Sequence, residues 1–217
     1  MTATRPPPFF IGDHLALDFL NTIAVPVDVE VEWLASGEDL LAWLNQAGLV
    51  PGTVLDALRR TAGPSELEAV AAQARGLRDW FKPFVYKHMG RSLKPNALRK
   101  LEPLNELLAR DEEFGQIVVR DRLHDREQDQ APGGTSGLAW RQQRRWSAPE
   151  SLLFPLARSL ADLVCTEDFA HVKACEGPSC TLLFADRTRG RVRRWCSMAV
   201  CGNRAKQAAF RERAREH

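Results

Sequence analysis

Four of the five cysteines fall in the last 43 residues, at Cys175, Cys180, Cys196 and Cys201, as C-x4-C, fifteen residues, C-x4-C. Two close pairs separated by such a span are the arrangement that wraps a tetrahedral Zn²⁺, each short loop offering two thiolates to one side of the ion. Gly177-Pro178 helps the first loop to turn. A segment of this size buries too little surface to fold alone. Zinc binding, worth on the order of 10–16 kcal/mol in finger peptides, supplies the missing stability. Four protein ligands leave no open position, so the expected Zn²⁺ is structural, one per chain. Two disulfides or free thiols remain the alternative. The N-terminal MTATRPPPFF carries no apolar stretch of signal-peptide length. The expectation is therefore a cytoplasmic chain, in whose reducing surroundings clustered cysteines are more often metal ligands than disulfides.

Between the pairs, TLLFA and RVRRWC are strand-like, with DRTRG as a turn, so a short hairpin is expected to return the chain to Cys196. After Cys201, RAKQAAFRERARE is rich in helix formers. That places Cys201 at a helix N-terminus, where free N–H groups favour a thiolate. Knuckle, hairpin and helix, in that order, make a treble-clef finger.

Charge divides the chain at the same place. Residues 171–217 hold eleven Lys/Arg against four acids, a net of +7, which leaves −5 for residues 1–170 of a chain whose formal total is +2. Arg187, Arg189, Arg191, Arg193 and Arg194 lie on the expected hairpin and turn. Arg204, Lys206 and Arg211 lie on the helix, with Arg204, Arg211 and Arg215 spaced along one face. The planar fork of arginine suits phosphates and guanine edges. A basic stripe on a metal-stiffened module is a nucleic-acid footprint, with DNA as the expected partner. A protein-binding adaptor finger and a purely structural clip are the alternatives, and some of these arginines must pair with Asp186, Glu212 or the metal-thiolate cluster. A single small module binds DNA weakly, so site specificity calls for a homodimer or a second contact.

Residues 1–170 read as a helix-rich α+β domain with a small antiparallel sheet. Leu15, Phe19 and Ile23 recur at helical spacing, and VDVEVEW alternates as a half-buried strand does. Helices are expected from Ser36 to Gly48, from Pro51 to Arg60, and from a Ser65/Glu68 capping box to Tyr86, with Pro83 a kink. A further amphipathic helix is expected over 95–110. GQIVVRDRL and GLAWRQQRRW read as two strands joined by a polar stretch, and a helix follows Ser147. His14, Asp18 and Asn21 in HLALDFLN are candidates to line a small-molecule pocket, against a plainer role in bonding local backbone. Cys165 reads as a small apolar residue. No phosphate-binding glycine loop, G-x-S-x-G or H-E-x-x-H occurs, so a binding protein is expected rather than an enzyme. No apolar run has the length of a membrane span.

The stretch CEGPSCTLLFADRTRGRVRRWCSMAVCGNRAKQAAFRER resembles the CGNR zinc finger, whose motif stands here as Cys201-Gly202-Asn203-Arg204. HLALDFLNT and the layout to about residue 170 resemble the ABATE domain that usually precedes that finger. The resemblance implies a transcription regulator linked to stress responses, built as an N-terminal ligand-binding domain (1–170) and a DNA-binding treble-clef finger (171–217). It also implies zinc ligation by Cys175, Cys180, Cys196 and Cys201.

Overall fold

The computed structural model describes residues 5–119 and 137–215; the polar stretch 124–136 expected between two strands lies outside the described residues. Seven α-helices are described: α1 (Leu15–Leu20), α2 (Gly37–Gln46), α3 (Gly52–Thr61), α4 (Pro64–His88), α5 (Glu102–Leu108), α6 (Leu153–Thr166) and α7 (Asn203–Arg215). The strands β1 (Ile23–Val27), β2 (Val29–Glu32), β3 (Glu113–Val119), β4 (Leu138–Arg144), β5 (Val172–Ala174) and β6 (Leu183–Ala185) form three separate antiparallel pairs, β1–β2, β3–β4 and β5–β6. The fold is helix-rich α+β with small antiparallel sheets, as the sequence led us to expect.

The helices α4 and α6 meet on α1, whose Ala16, Leu17, Phe19 and Leu20 are fully buried against them and β6. On α4, Leu67, Val70, Ala71, Ala74, Phe81 and Val85 repeat at helical spacing and form its inward stripe. Each fully buried Leu or Phe contributes roughly 1.5–3 kcal/mol. Arg78 interrupts that stripe at 1% exposure. Its guanidinium is satisfied by Glu32 at 2.7 and 2.8 Å, Asp79 at 2.9 Å and Thr22 at 3.2 Å. A buried charge is tolerated only when paired in this way, and here it ties α4 to β2 and to the end of α1.

Several local expectations shift, each for a tertiary or backbone reason. The Ser36 hydroxyl does accept from Asp39 N–H at 3.1 Å and start α2. The start of α4, however, is not capped by Ser65 and Glu68. Pro64 takes the first helical position, its missing N–H costing nothing there, and Glu66 reaches back to Gly63 N–H at 2.7 Å. Glu68 instead accepts from Gly37 N–H at 2.7 Å and fastens α2 to α4. The single helix expected over 95–110 is a 3-10 turn at Pro95–Lys100 followed by α5, which Pro103 restarts. Ile23 does not extend α1 but opens β1 opposite Glu32.

The hairpin of the C-terminal segment also has a different partner. Leu183–Ala185 is a strand as expected, but it pairs with Val172–Ala174 before the first cysteine, in the register Val172↔Ala185, Lys173↔Phe184, Ala174↔Leu183. RVRRWC is not a strand. The reason is Asp186, which has no exposed surface. It accepts from Thr188 N–H and hydroxyl at 3.0 and 2.6 Å, Arg193 N–H at 2.9 Å and Lys173 Nζ at 2.7 Å. Lys173 Nζ also reaches the Arg191 carbonyl at 2.6 Å. Residues 186–193 therefore curl round one carboxylate instead of extending.

Candidate metal centre

The Sγ atoms of Cys175, Cys180, Cys196 and Cys201 all lie within 4.8 Å of one another. Cys180 and Cys196 sulfurs are 3.8 Å apart, Cys196 and Cys201 sulfurs 3.6 Å. A tetrahedron with Zn–S bonds of about 2.3 Å has sulfur–sulfur edges of about 3.8 Å. A disulfide requires about 2.05 Å, and all four thiols are free. The donor set and its spacing thus fit one Zn²⁺.

The surroundings fit as well. Cys175 Sγ accepts from Cys196 N–H at 3.3 Å and Gly177 N–H at 3.4 Å, the outer hydrogen bonds that stabilise ligating thiolates. A Cβ on residue 177 would stand 3.1 Å from Cys201 Sγ, so glycine leaves the sulfurs their room. A wide helical turn over Met198–Gly202 carries Cys201 directly into α7. The thiols titrate as one group. Hydrogen bonds from Cys180 and Cys196 pull the Cys175 thiol down to about 2, whereas the bond to Cys175 pushes Cys180 up to about 12. Cys196 is pushed up by its bonds to Cys175 and Cys180, and Cys201 chiefly by burial. Four thiolates can coexist only around positive charge, which a divalent ion supplies.

The centre is not carried by the C-terminal segment alone. Cys175, Leu182, Phe184, Cys196 and Cys201 share one buried cluster with Ala24 and Trp33 of the N-terminal part, flanked by Phe9, Ile11 and Val31. Trp33 is anchored by its indole N–H on the Pro6 carbonyl at 2.7 Å and by the edge of Phe9. In sequence Trp33 only closes the alternating stretch VDVEVEW, and nothing in its spacing points to the metal centre.

Of the two roles weighed for His14, Asp18 and Asn21, the described contacts are those of backbone partners. Asn21 is 2% exposed; its amide donates to the Leu183 carbonyl at 2.9 Å and accepts from Leu183 N–H at 2.8 Å, behaving as an added strand residue beside β6. Asp18, 5% exposed, accepts from Ile11 N–H at 2.9 Å and Gly12 N–H at 2.8 Å. Burial pushes its carboxyl up to about 6, against those two N–H bonds. His14 caps α1 by accepting from Ala16 N–H at 3.2 Å and sets Nε2 3.3 Å from Asp162, burial lowering its pKa. All three turn hydrogen bonds to the fold. They brace residues 11–22 for the segment that packs on them, where Gly12 accepts from Ala185 N–H at 2.8 Å.

The arginines divide into two sets. Arg193 is enclosed: it bonds the carbonyls of Ile11 at 2.9 Å, Trp195 at 3.0 Å and Cys196 at 2.6 Å, pairs with Asp13, and lies 4.2 Å from the Phe184 ring centroid. Arg204, last residue of Cys-Gly-Asn-Arg, pairs with Asp28 at 3.2 Å and approaches the Pro26 carbonyl. Arg187 pairs with Glu167. Arg193 and Arg204 clamp the two parts together through these contacts. Asp28 also takes the Ser179 hydroxyl, so one carboxylate in the β1–β2 turn holds the first cysteine loop and the start of α7. Its φ of 61° suits Asp, but the turn was hidden inside a strand-like reading.

Arg189, Arg191, Arg194, Lys206 and Arg211 remain on the surface. Arg191 Nη1 bonds the Asp186 carbonyl, and Arg194 pairs with Glu176 at 2.6 Å beside the Trp195 ring. Arg189 and Lys206 have no ion pair among the described residues.

Residues 13–167 match the family model ABATE, described as "Putative stress-induced transcription regulator", and residues 171–214 match the CGNR zinc finger model. No curated protein matches the chain.

Proposed function

The chain belongs to the ABATE family and ends in a CGNR zinc finger, and on that footing we propose that it is a DNA-binding regulator, a cytoplasmic binding protein rather than an enzyme. We read the finger as treble-clef in kind, and residues 1–170 as the part through which a small ligand or partner acts on it. We assign that influence to the buried cluster that the two parts share. One observation carries the reading: beside a metal-stiffened centre, exposed cations gather on the 187–194 loop and α7. Arg189, Arg191 and Arg194 stand on the first, Lys206 and Arg211 on the second.

Five such contacts predict a log–log salt slope of about −4 to −5 in binding to duplex DNA. Fluorescence anisotropy at graded salt tests this. Charge reversal at Arg189, Lys206 and Arg211 is expected to abolish binding, whereas a salt-independent isotherm or unchanged affinity would refute the reading.

A second reading, an adaptor whose finger grips a protein, has its own support. Thr188, Val192, Trp195, Ser197 and Met198 line a cleft of about 360 Å³, and Val192 and Met198 are exposed. Binding of a protein partner that survives nuclease treatment and is lost on Val192→Asp favours it.

A further inference from the structure

The β3–β4 hairpin carries a surface that the finger does not explain. Residues two apart on a strand share a face, so Gly115, Ile117 and Val119 of β3 stand with Leu138, Trp140 and Gln142 of β4. Ile117 is directly opposite Trp140, and Val119 opposite Leu138. These four large side chains are 66%, 67%, 77% and 53% exposed in that order. Trp140 is held in place: a Cβ on residue 115 would lie 1.7 Å from its ring, so the indole rests flat across Gly115. The patch is a preformed apolar plate rather than a set of mobile side chains.

We propose that this face is where two copies of the chain meet. The electrostatics select the occupant. Towards the base of the face Arg144 is bound by Asp111 at 2.6 Å and by Glu113 at 2.5 Å, and Gln142 is neutral. Among the described residues the face therefore holds no cation left over for a polyanion or an acidic peptide, unlike the finger loop; the one charge in excess, at its base, is acidic. An apolar sheet face is complementary to itself under a two-fold axis. Two such sheets pack about 10 Å apart with strands crossing at about 30°. Four large side chains at these exposures offer on the order of 500 Å² per copy, so two copies cover about 1,000 Å², the size at which an interface becomes specific. A dimer would present two fingers, but the inference does not rest on the nucleic-acid reading, and its test is made without nucleic acid.

Sedimentation velocity of the zinc-loaded full chain across the micromolar range is expected to show a species of twice the 24.4 kDa chain mass. Trp140→Glu and, separately, Val119→Glu should weaken association about thirtyfold or more, with zinc content and helicity unchanged. Gln116→Glu, on the opposite face, should not. A wild-type monomer throughout, or equal dissociation constants for all the variants, overturns the proposal. So does a monomer that dimerises only when residues 121–135 are replaced by a short turn, since the chain itself then occupies the face. Should the glutamate variants misfold, Ile117→Cys in a Cys165→Ser background decides: a short bis-maleimide should join two copies, and failure to do so also overturns it.

Discussion

The helical body and the C-terminal finger are held by different physics. In the body, α1, α2, α4 and α6 bury Leu17, Phe19, Leu41, Trp43, Phe81 and Leu160 in one continuous apolar core. In the finger, the strands among the described residues are the three-residue β5 and β6, followed by loop, four sulfurs and a polar helix. Burial can hold the first; the second depends on a metal ion and on side chains lent by its neighbour. The boundary near residue 170 is thus a boundary in sequence and charge, whereas Trp33, Asn21, Asp13 and Asp28 cross it in space.

The largest expected effect separates the two. Zinc binding is worth on the order of 10 kcal/mol in small fingers, so chelation, or Cys196→Ser, is expected to unfold residues 175–215 while α2 to α6 persist. Hydrogen exchange reads this directly: amides of α7 and β6 should lose protection, and amides of α4 should keep it. Equal loss in both regions would show the body to be as metal-dependent as the finger, and the contrast would fall.

The seam between them supplies the next effect. Asn21→Ala leaves the buried N–H and carbonyl of Leu183 without partners, at about 1–3 kcal/mol for each. We expect roughly 4 kcal/mol of destabilisation in urea denaturation, shared by both regions, since one amide serves β6 and the end of α1 together. A loss confined to the finger would mean that the body holds its shape without its guest.

How much of this was legible follows from where each constraint resides. The sulfurs could be read because coordination imposes its own spacing on the chain. The Ser36 cap could be read because donor and acceptor are three residues apart. Arg193 could not: its acceptors at Ile11 and Asp13 are some 180 residues away, and in sequence it looks like any member of a basic run. Backbone bonding by Asp18 and Asn21 was one of two roles the sequence left open, but the partners, residues 11–12 and β6, are set by the tertiary fold. The β5–β6 pairing was missed because Asp186 captures the loop after β6, and one acidic residue among arginines resembles a simple ion-pair partner.

The smallest effect sharpens the comparison by pH. Asp18 holds residues 11 and 12, the same stretch whose carbonyls receive Arg193 and Ala185 from the finger. Its carboxyl is pushed up by burial from 3.8 to about 6. Between these values the folded chain binds the proton that the unfolded chain has released. This contribution to stability is therefore complete below about pH 4, declines as pH rises, and is gone once pH has passed through 6. The shift corresponds to about 3 kcal/mol. The metal centre has the opposite dependence, because its thiolates gain protons on acidification, so the wild type alone would mix the two. Asp18→Asn keeps an oxygen to accept from Ile11 and Gly12 but cannot titrate. The difference in unfolding free energy between Asp18→Asn and wild type should thus move in the variant's favour by up to about 3 kcal/mol between pH 4 and pH 7, the metal contribution cancelling. A difference that stays constant over that interval would mean that Asp18 is solvated, and that the seam it braces is open.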